Sequence, residues 1–169
     1  GGVFLPEEQS WGGCLAGERS LTLKDVEDYA RVLIAAELKM FAGLDTPVIF
    51  FQNVATDLLL GLGFDEAFKM FNDHVREHYG AEPGFITMNA PLLLQKLERM
   101  GLNNPILCAN INKIAFRMCG GIDAYEQMIA QGRCRLIAMS VFASGALRPK
   151  EALDYVCQFP QIESIVFGA

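Results

Sequence analysis

The chain has a single Trp, two His and no CxxC or CxxH pair. Its five cysteines, Cys14, Cys108, Cys119, Cys134 and Cys157, are odd in number and far apart. A zinc or iron–sulfur centre has no ligand spacing to rest on, and no metal is expected. Reduced, mostly buried thiols in a cytoplasmic protein account for the pattern. No apolar run approaches the roughly 18 residues that span a bilayer. Basic residues are few: 14 Lys and Arg stand against 20 Asp and Glu, for a net charge of −6. That balance argues against a nucleic-acid or anionic-membrane surface. The chain opens Gly1-Gly2-Val3, with no Met, basic segment or apolar signal segment. It closes on Phe167-Gly168-Ala169 directly after an apolar run, so both ends read as cuts within something longer.

What is present is a core. Of 169 residues, 51% are apolar and 12 are Phe, which excludes disorder and low-complexity classes. Short apolar runs alternate with amphipathic stretches. Val48-Ile49-Phe50-Phe51, Phe85-Ile86-Thr87-Met88, Ile106-Leu107-Cys108-Ala109, Leu136-Ile137-Ala138-Met139 and Ser164-Ile165-Val166-Phe167 are continuous and bounded by turn residues. Strands buried on both faces of a parallel sheet have this signature. Pro47, Pro83-Gly84 and Pro105 introduce three of them, and Gly2-Val3-Phe4-Leu5 is a further candidate.

The intervening segments predict helices. Leu23, Val26, Ala30, Leu33, Glu37 and Met40 recur at helical spacing after Thr22-x-x-Asp25, and Gly43 ends the stretch. Asp65-Glu66 opens a helix with Phe64, Phe68, Phe71 and Val75 on one face, stopped by Gly80. Residues 92–100 and 123–130 are helical by pattern, stopped by Gly101 and Gly132. Pro149-Lys150-Glu151 opens the last helix, which Pro160 closes.

The strand starts, at residues 48, 85, 106, 136 and 164, repeat every 21 to 37 residues. A (β/α)8 barrel runs at about 30 residues per unit. We therefore expect an α/β fold: a parallel (β/α) barrel, TIM-barrel-like, with its first one or two βα units absent from the chain. Residues 1–169 then form a single domain, roughly the last six units of eight. A doubly wound open sheet shows the same alternation. Unbroken βα order and polar residues at the strand C-termini favour the barrel.

Barrels place function at those C-terminal ends. Glu7, Gln52, Asn53 and Asn89 there are the candidate substrate-binding residues, and Asn110, Asn112 and Lys113 the candidate catalytic ones. An amide-rich rim suits a neutral polar ligand or an anion held by N–H groups. Asn at a strand end also serves as a turn residue bonding its own backbone. Lys113 fits an amine nucleophile of the Schiff-base kind, or a solvated residue at a helix start. Glu7 and Glu8 are adjacent, so in extended chain at most one faces the site. His74 and His78 stand four apart without an HExxH pattern, and surface histidines are the simpler reading.

The best single signal is Ser144-Gly145-Ala146-Leu147-Arg148-Pro149-Lys150-Glu151, a small turn feeding a helix N-terminus. Free N–H groups and the helix dipole attract an anion there, and Arg148 adds a cation of bidentate geometry. Pro149 has no N–H, so the donors are those of Leu147, Arg148, Lys150 and Glu151. In barrels the loops after strands seven and eight are the frequent phosphate site. Ser140, Ser144, Gly145, Arg148 and Gly168 are the candidate cofactor-binding residues.

Ile137-Ala138-Met139-Ser140-Val141-Phe142-Ala143-Ser144-Gly145-Ala146-Leu147 and Pro160-Gln161-Ile162-Glu163-Ser164-Ile165-Val166-Phe167-Gly168-Ala169 carry a family likeness. They resemble the seventh- and eighth-strand segments of aldo/keto reductase barrels, over about residues 84–169. The resemblance implies that these two turns bind the phosphates of NADP. Val141-Phe142 stands where that family has a Pro-Leu pair, and Thr87-Met88-Asn89 where it has Ser-Asn. Gln52-Asn53 occupies the place of its catalytic His, and its Asp, Tyr and Lys lie on earlier strands, so no reductase chemistry transfers by residue.

Three functions fit these features. The first is a barrel enzyme binding a phosphorylated cofactor or substrate at its last two loops, an NADP-linked oxidoreductase in particular. A lyase or aldolase-type barrel is the second, with Lys113 or a carboxylate handling protons. The third is a non-catalytic binding or assembly protein whose sheet edges a partner covers. A small-molecule ligand is the expected partner, and a homo-oligomer is compatible.

Overall fold

The computed structural model describes residues 31–167 apart from Leu33 and Glu37. Glu7, Gly168, Cys14, the candidate strand at 2–5 and the start of the first predicted helix lie outside the described residues. The chain divides into two compact units, Gly1–Ala42 and Gly43–Ala169. In the first, the described positions between Arg31 and Leu38 are helical and run into a 3-10 turn at Lys39–Phe41.

The second unit alternates strand and helix. β1 (Val48–Phe51) precedes α1 (Asn53–Leu62) and α2 (Glu66–Tyr79), and β2 (Glu82–Thr87) precedes α3 (Ala90–Arg99). β3 (Ile106–Asn110), α4 (Gly121–Gln131), β4 (Arg135–Met139), α5 (Pro149–Val156) and β5 (Ile162–Ile165) follow. All five strands are parallel and pair in chain order. The reversal of strand order that a doubly wound sheet needs does not occur among them.

Parallel crossovers are right-handed in about 98% of cases, so consecutive pairing sends successive helices to the same face. Side-chain burial follows. By register, Phe85, Leu107 and Leu136 share one face with Thr87, Ala109 and Ala138, and all six are buried. The alternate set is mixed: Phe50, Ile86, Ile137 and Met139 are half-buried, whereas Ile106, Cys108 and Asn110 of the central β3 are buried. α2 packs on the Phe85 side of the sheet through Phe68, Phe71 and Val75, which recur at helical spacing and are buried, and α3 and α4 bury Leu93, Leu97, Met128 and Ile129 in the same way. Phe71 lies 4.7 Å from Phe51 and 5.6 Å from Phe85 between ring centroids, and Phe68 meets Phe85 edge-on at 5.9 Å. Gly80, at φ 61°, ends α2 as expected.

Several elements differ from the sequence expectation. β2 begins at Glu82, so Pro83-Gly84 lies inside the strand and does not merely introduce it. The ladder to β3 starts at Gly84 opposite Ile106, and the missing N–H of Pro83 therefore leaves no rung empty. Glycine is needed next to it: a Cβ on Gly84 would stand 2.5 Å from the Phe50 ring. α1 was not anticipated, because its apolar residues are not confined to one face. Val54, Leu58 and Leu62 point outward from it. Phe64 falls in the turn between α1 and α2 and is exposed. β5 ends at Ile165, leaving Val166 and Phe167 exposed beyond it. Of the described cysteines, Cys108 and Cys134 are buried, which pushes both thiols up to about 11, whereas Cys119 and Cys157 are exposed. No helix among the described residues is long and apolar enough to cross a membrane.

The four-ring cluster sets a stability expectation. Phe68→Ala should destabilise the protein by about 3–5 kcal/mol, as for a fully buried aromatic. Denaturant unfolding checks it, and a loss below about 1 kcal/mol would show that α2 does not depend on this contact.

Candidate functional site

At the C-terminal end of the sheet, two loops are folded around buried amides. Asn110 donates from Nδ2 to the Arg117 carbonyl at 3.0 Å. Asn112, fully buried, accepts the Phe116 N–H at Oδ1 (2.8 Å) and donates to the Phe116 carbonyl (2.9 Å) and the Ser140 carbonyl (3.5 Å). The first loop is thereby closed on itself and tied to the end of β4.

Both loops hold backbone that L-residues adopt at a cost. Ala115 and Arg117 have φ near +56° in the first, and Ser140, Ala143 and Ser144 have φ between 49° and 56° in the second. Gly145 continues the left-handed run at φ 88°. Each non-glycine position costs roughly 1–2 kcal/mol. The turn is held by Ala143 N–H to Ser140 O (2.9 Å) and by Gly145 and Leu147 N–H to Phe142 O (2.9 and 3.2 Å). Phe116 and Phe142 pack against the buried cluster of Ala143, Leu147 and Ala152 beneath it. Strain of this kind persists where surrounding structure enforces it, and it clusters at functional sites.

A second network fastens the end of β2. Asp57, on α1, accepts the Thr87 hydroxyl at 2.5 Å and the Met88 N–H at 3.0 Å. Tyr125, fully buried on α4, donates to the Met88 carbonyl at 2.8 Å and accepts the Ala90 N–H at 3.2 Å. The Cys119 N–H shares that Met88 carbonyl at 2.8 Å. Burial, with lesser contributions from Cys119 and Asp57, pushes the Tyr125 phenol well above its ordinary range. Neither Asp57 nor Tyr125 was anticipated. Asp57 sits in the unforeseen α1, and a tyrosine on an apolar helix face reads as core.

Beside these loops, along α5, lies a cleft of about 430 Å³ lined by Lys113, Arg148, Lys150, Glu151, Asp154, Tyr155 and Gln158. Lys113 pairs with Glu151 at 2.8 Å and Lys150 with Asp154 at 2.6 Å. The Tyr155 hydroxyl donates to Glu126 on α4 at 2.9 Å. Hydrogen bonding to Lys113, then its charge, then Arg148, holds the Glu151 carboxyl below its usual range. The Arg148 guanidinium has no ion-pair or hydrogen-bond partner among the described residues, its carbonyl accepting the Ala152 N–H at 3.0 Å. The Leu147 N–H is spent on Phe142, which removes it from the expected donor set and leaves the N–H groups of Arg148, Lys150 and Glu151.

The cleft brings together Lys113 and Arg148 of the sequence-derived candidates. Gln52, exposed before α1, and Asn53, its half-buried first residue, do not line it. Neither do Asn89, half-buried before α3, nor Ser140, Ser144 and Gly145 of the strained turn. Asn110 and Asn112, expected to act on a ligand, instead spend their amides on the loop backbone. Lys113 is in an exposed ion pair, far from the desolvated setting that activates a Schiff-base lysine. His74 is buried, not on the surface, with its ring 4.3 Å from that of His78. Among the described residues no three His, Cys, Asp or Glu are grouped to hold a metal ion.

The two amides make opposite predictions. Asn112→Ala leaves the Phe116 N–H and carbonyl unpaired and should cost about 1–3 kcal/mol, with faster hydrogen exchange at Phe116. Asn89→Ala, whose side chain has no partner among the described residues, should change stability by less than about 0.5 kcal/mol. Equal effects in thermal unfolding would refute the assignment of Asn112 as the loop's clamp. No protein-family model, curated protein or solved structure matches the chain, so its likeness to aldo/keto reductases rests on the quoted residues alone.

Proposed function

We propose that the sheet is an arc of a (β/α)8-type barrel and that the protein is an enzyme binding a phosphorylated cofactor or substrate beside its last strand–helix loops. Within that class an NADP-linked oxidoreductase is the reading the family resemblance favours. Support for the barrel comes from consecutive parallel pairing, which winds the sheet one way, and from the central strand β3 being buried on both faces.

The observation that carries the binding reading is the cleft itself. The Arg148 guanidinium stands at the N-terminus of α5 without an ion-pair or hydrogen-bond partner among the described residues, and Lys113 and Lys150 share its walls. A guanidinium takes two phosphate oxygens at once. The Lys150 and Glu151 N–H groups and the dipole of α5 favour the same charge. Lys113 carries no Schiff-base role in this reading, since its ammonium is already engaged by Glu151.

Calorimetric titration with NADPH and with inorganic phosphate tests the proposal. Binding below millimolar is expected for at least one of them, weakened about tenfold or more in Arg148→Ala, the cost of a charged hydrogen bond being about 1.5–3 kcal/mol. If neither binds, or if Arg148→Ala binds as the wild type does, the cleft is only a groove beside a capped helix.

A further inference from the structure

Glu151 occupies the cleft as an anion already does. Its carboxylate reaches from α5 to Lys113 on the loop after β3, 2.8 Å away, and the charge of Arg148 acts on it as well. The pair joins two separate chain segments, 38 residues apart. The other acidic residue of the cleft, Asp154, is matched to Lys150 one turn away on the same helix. Glu151 alone therefore spans the cleft, paired directly with Lys113 and lying within the field of Arg148.

We propose that Glu151 is a resident counter-anion that a phosphate group displaces, taking over Lys113 while Arg148 holds its remaining oxygens. This rests on the phosphate-binding reading above and specifies how the site is regulated: the unliganded cleft is closed electrostatically by its own carboxylate. It also sets the ligand chemistry. A carboxylate offers two oxygens and one charge, no more than Glu151 already supplies. A phosphate monoester offers three oxygens and close to two charges, so it can engage Lys113 and Arg148 together.

The alternative role for the same ion pair is opposite in sign. If Glu151 positioned Lys113 for the ligand, its removal would weaken binding. As a competitor, its removal strengthens binding. The pair is exposed, with side chains at 53% and 36% of full accessibility, and such pairs add little to stability, so the variant will fold.

The experiment is calorimetric titration of inorganic phosphate at pH 8 into wild type, Glu151→Gln, Lys113→Ala and the double variant. Removing a like charge beside the bound anion relieves a modest, solvent-screened repulsion, so Glu151→Gln should bind phosphate about fivefold more tightly. The gain should shrink in the Lys113→Ala background, where no cation is released, and should fall with added salt. Binding that is unchanged or weaker in Glu151→Gln overturns the displacement model while leaving the phosphate site standing. A gain that is the same with and without Lys113 also overturns it, because Glu151 would then act by plain repulsion. Absence of binding in every variant overturns the site and this inference together.

Discussion

Consecutive parallel pairing is the constraint from which the second unit follows. A parallel neighbour can be reached only by a crossover, and a crossover of fixed hand repeated in one direction puts each helix on the same side. The covered face can therefore be filled continuously, from the Phe51, Phe68, Phe71 and Phe85 cluster to Leu107 and Leu136. The same constraint collects every strand C-terminus at one end. Loops far apart in sequence, such as those carrying Lys113 and Arg148, then share a cleft.

That end is fastened by polar groups more than by apolar packing. The Met88 carbonyl receives Tyr125 and the Cys119 N–H, and the Met88 N–H is held by Asp57. Asn112 does the corresponding work for the neighbouring loop and reaches Ser140 beyond it. Buried hydrogen bonds of this kind have a strong asymmetry: modest when made, costly when one partner is removed. They fix loop shapes that apolar contacts alone would leave interchangeable, and they offset the left-handed backbone at Ala115, Arg117 and Ser140.

The central strands were legible because such parallel strands are apolar on both sides, so Ile106-Leu107-Cys108-Ala109 and Leu136-Ile137-Ala138-Met139 stand out without any period. The start of β2 was not. Pro83-Gly84 is a turn string by composition, and only the register with β3 and the Phe50 ring explains its place in a strand. α1 was hidden for a related reason, since a helix with Val54, Leu58 and Leu62 facing outward lacks the polar face that marks one. At the site, Lys113 and Arg148 were found by position after a strand and before a helix. Asn110 and Asn112 were found by residue type, but their role was not. Whether a strand-end amide faces a ligand or its own loop depends on left-handed φ at Ala115 and Arg117, which neither residue type advertises. Glu151 was visible only as a residue of the first turn of α5, and its reach to Lys113 needed the fold.

The left-handed run at Ala143, Ser144 and Gly145 implies an order of assembly. An unfolded chain seldom visits that conformation at alanine or serine, so the turn does not form ahead of its surroundings. It needs Phe142 and Phe116 seated on Leu147 and Ala152, and Phe116 is placed by the Asn112 loop. The sheet and the β3–α4 loop must therefore exist before the β4–α5 turn can close. The wall of the cleft bearing Arg148 is thus shaped by contacts from the neighbouring loop as much as by its own residues.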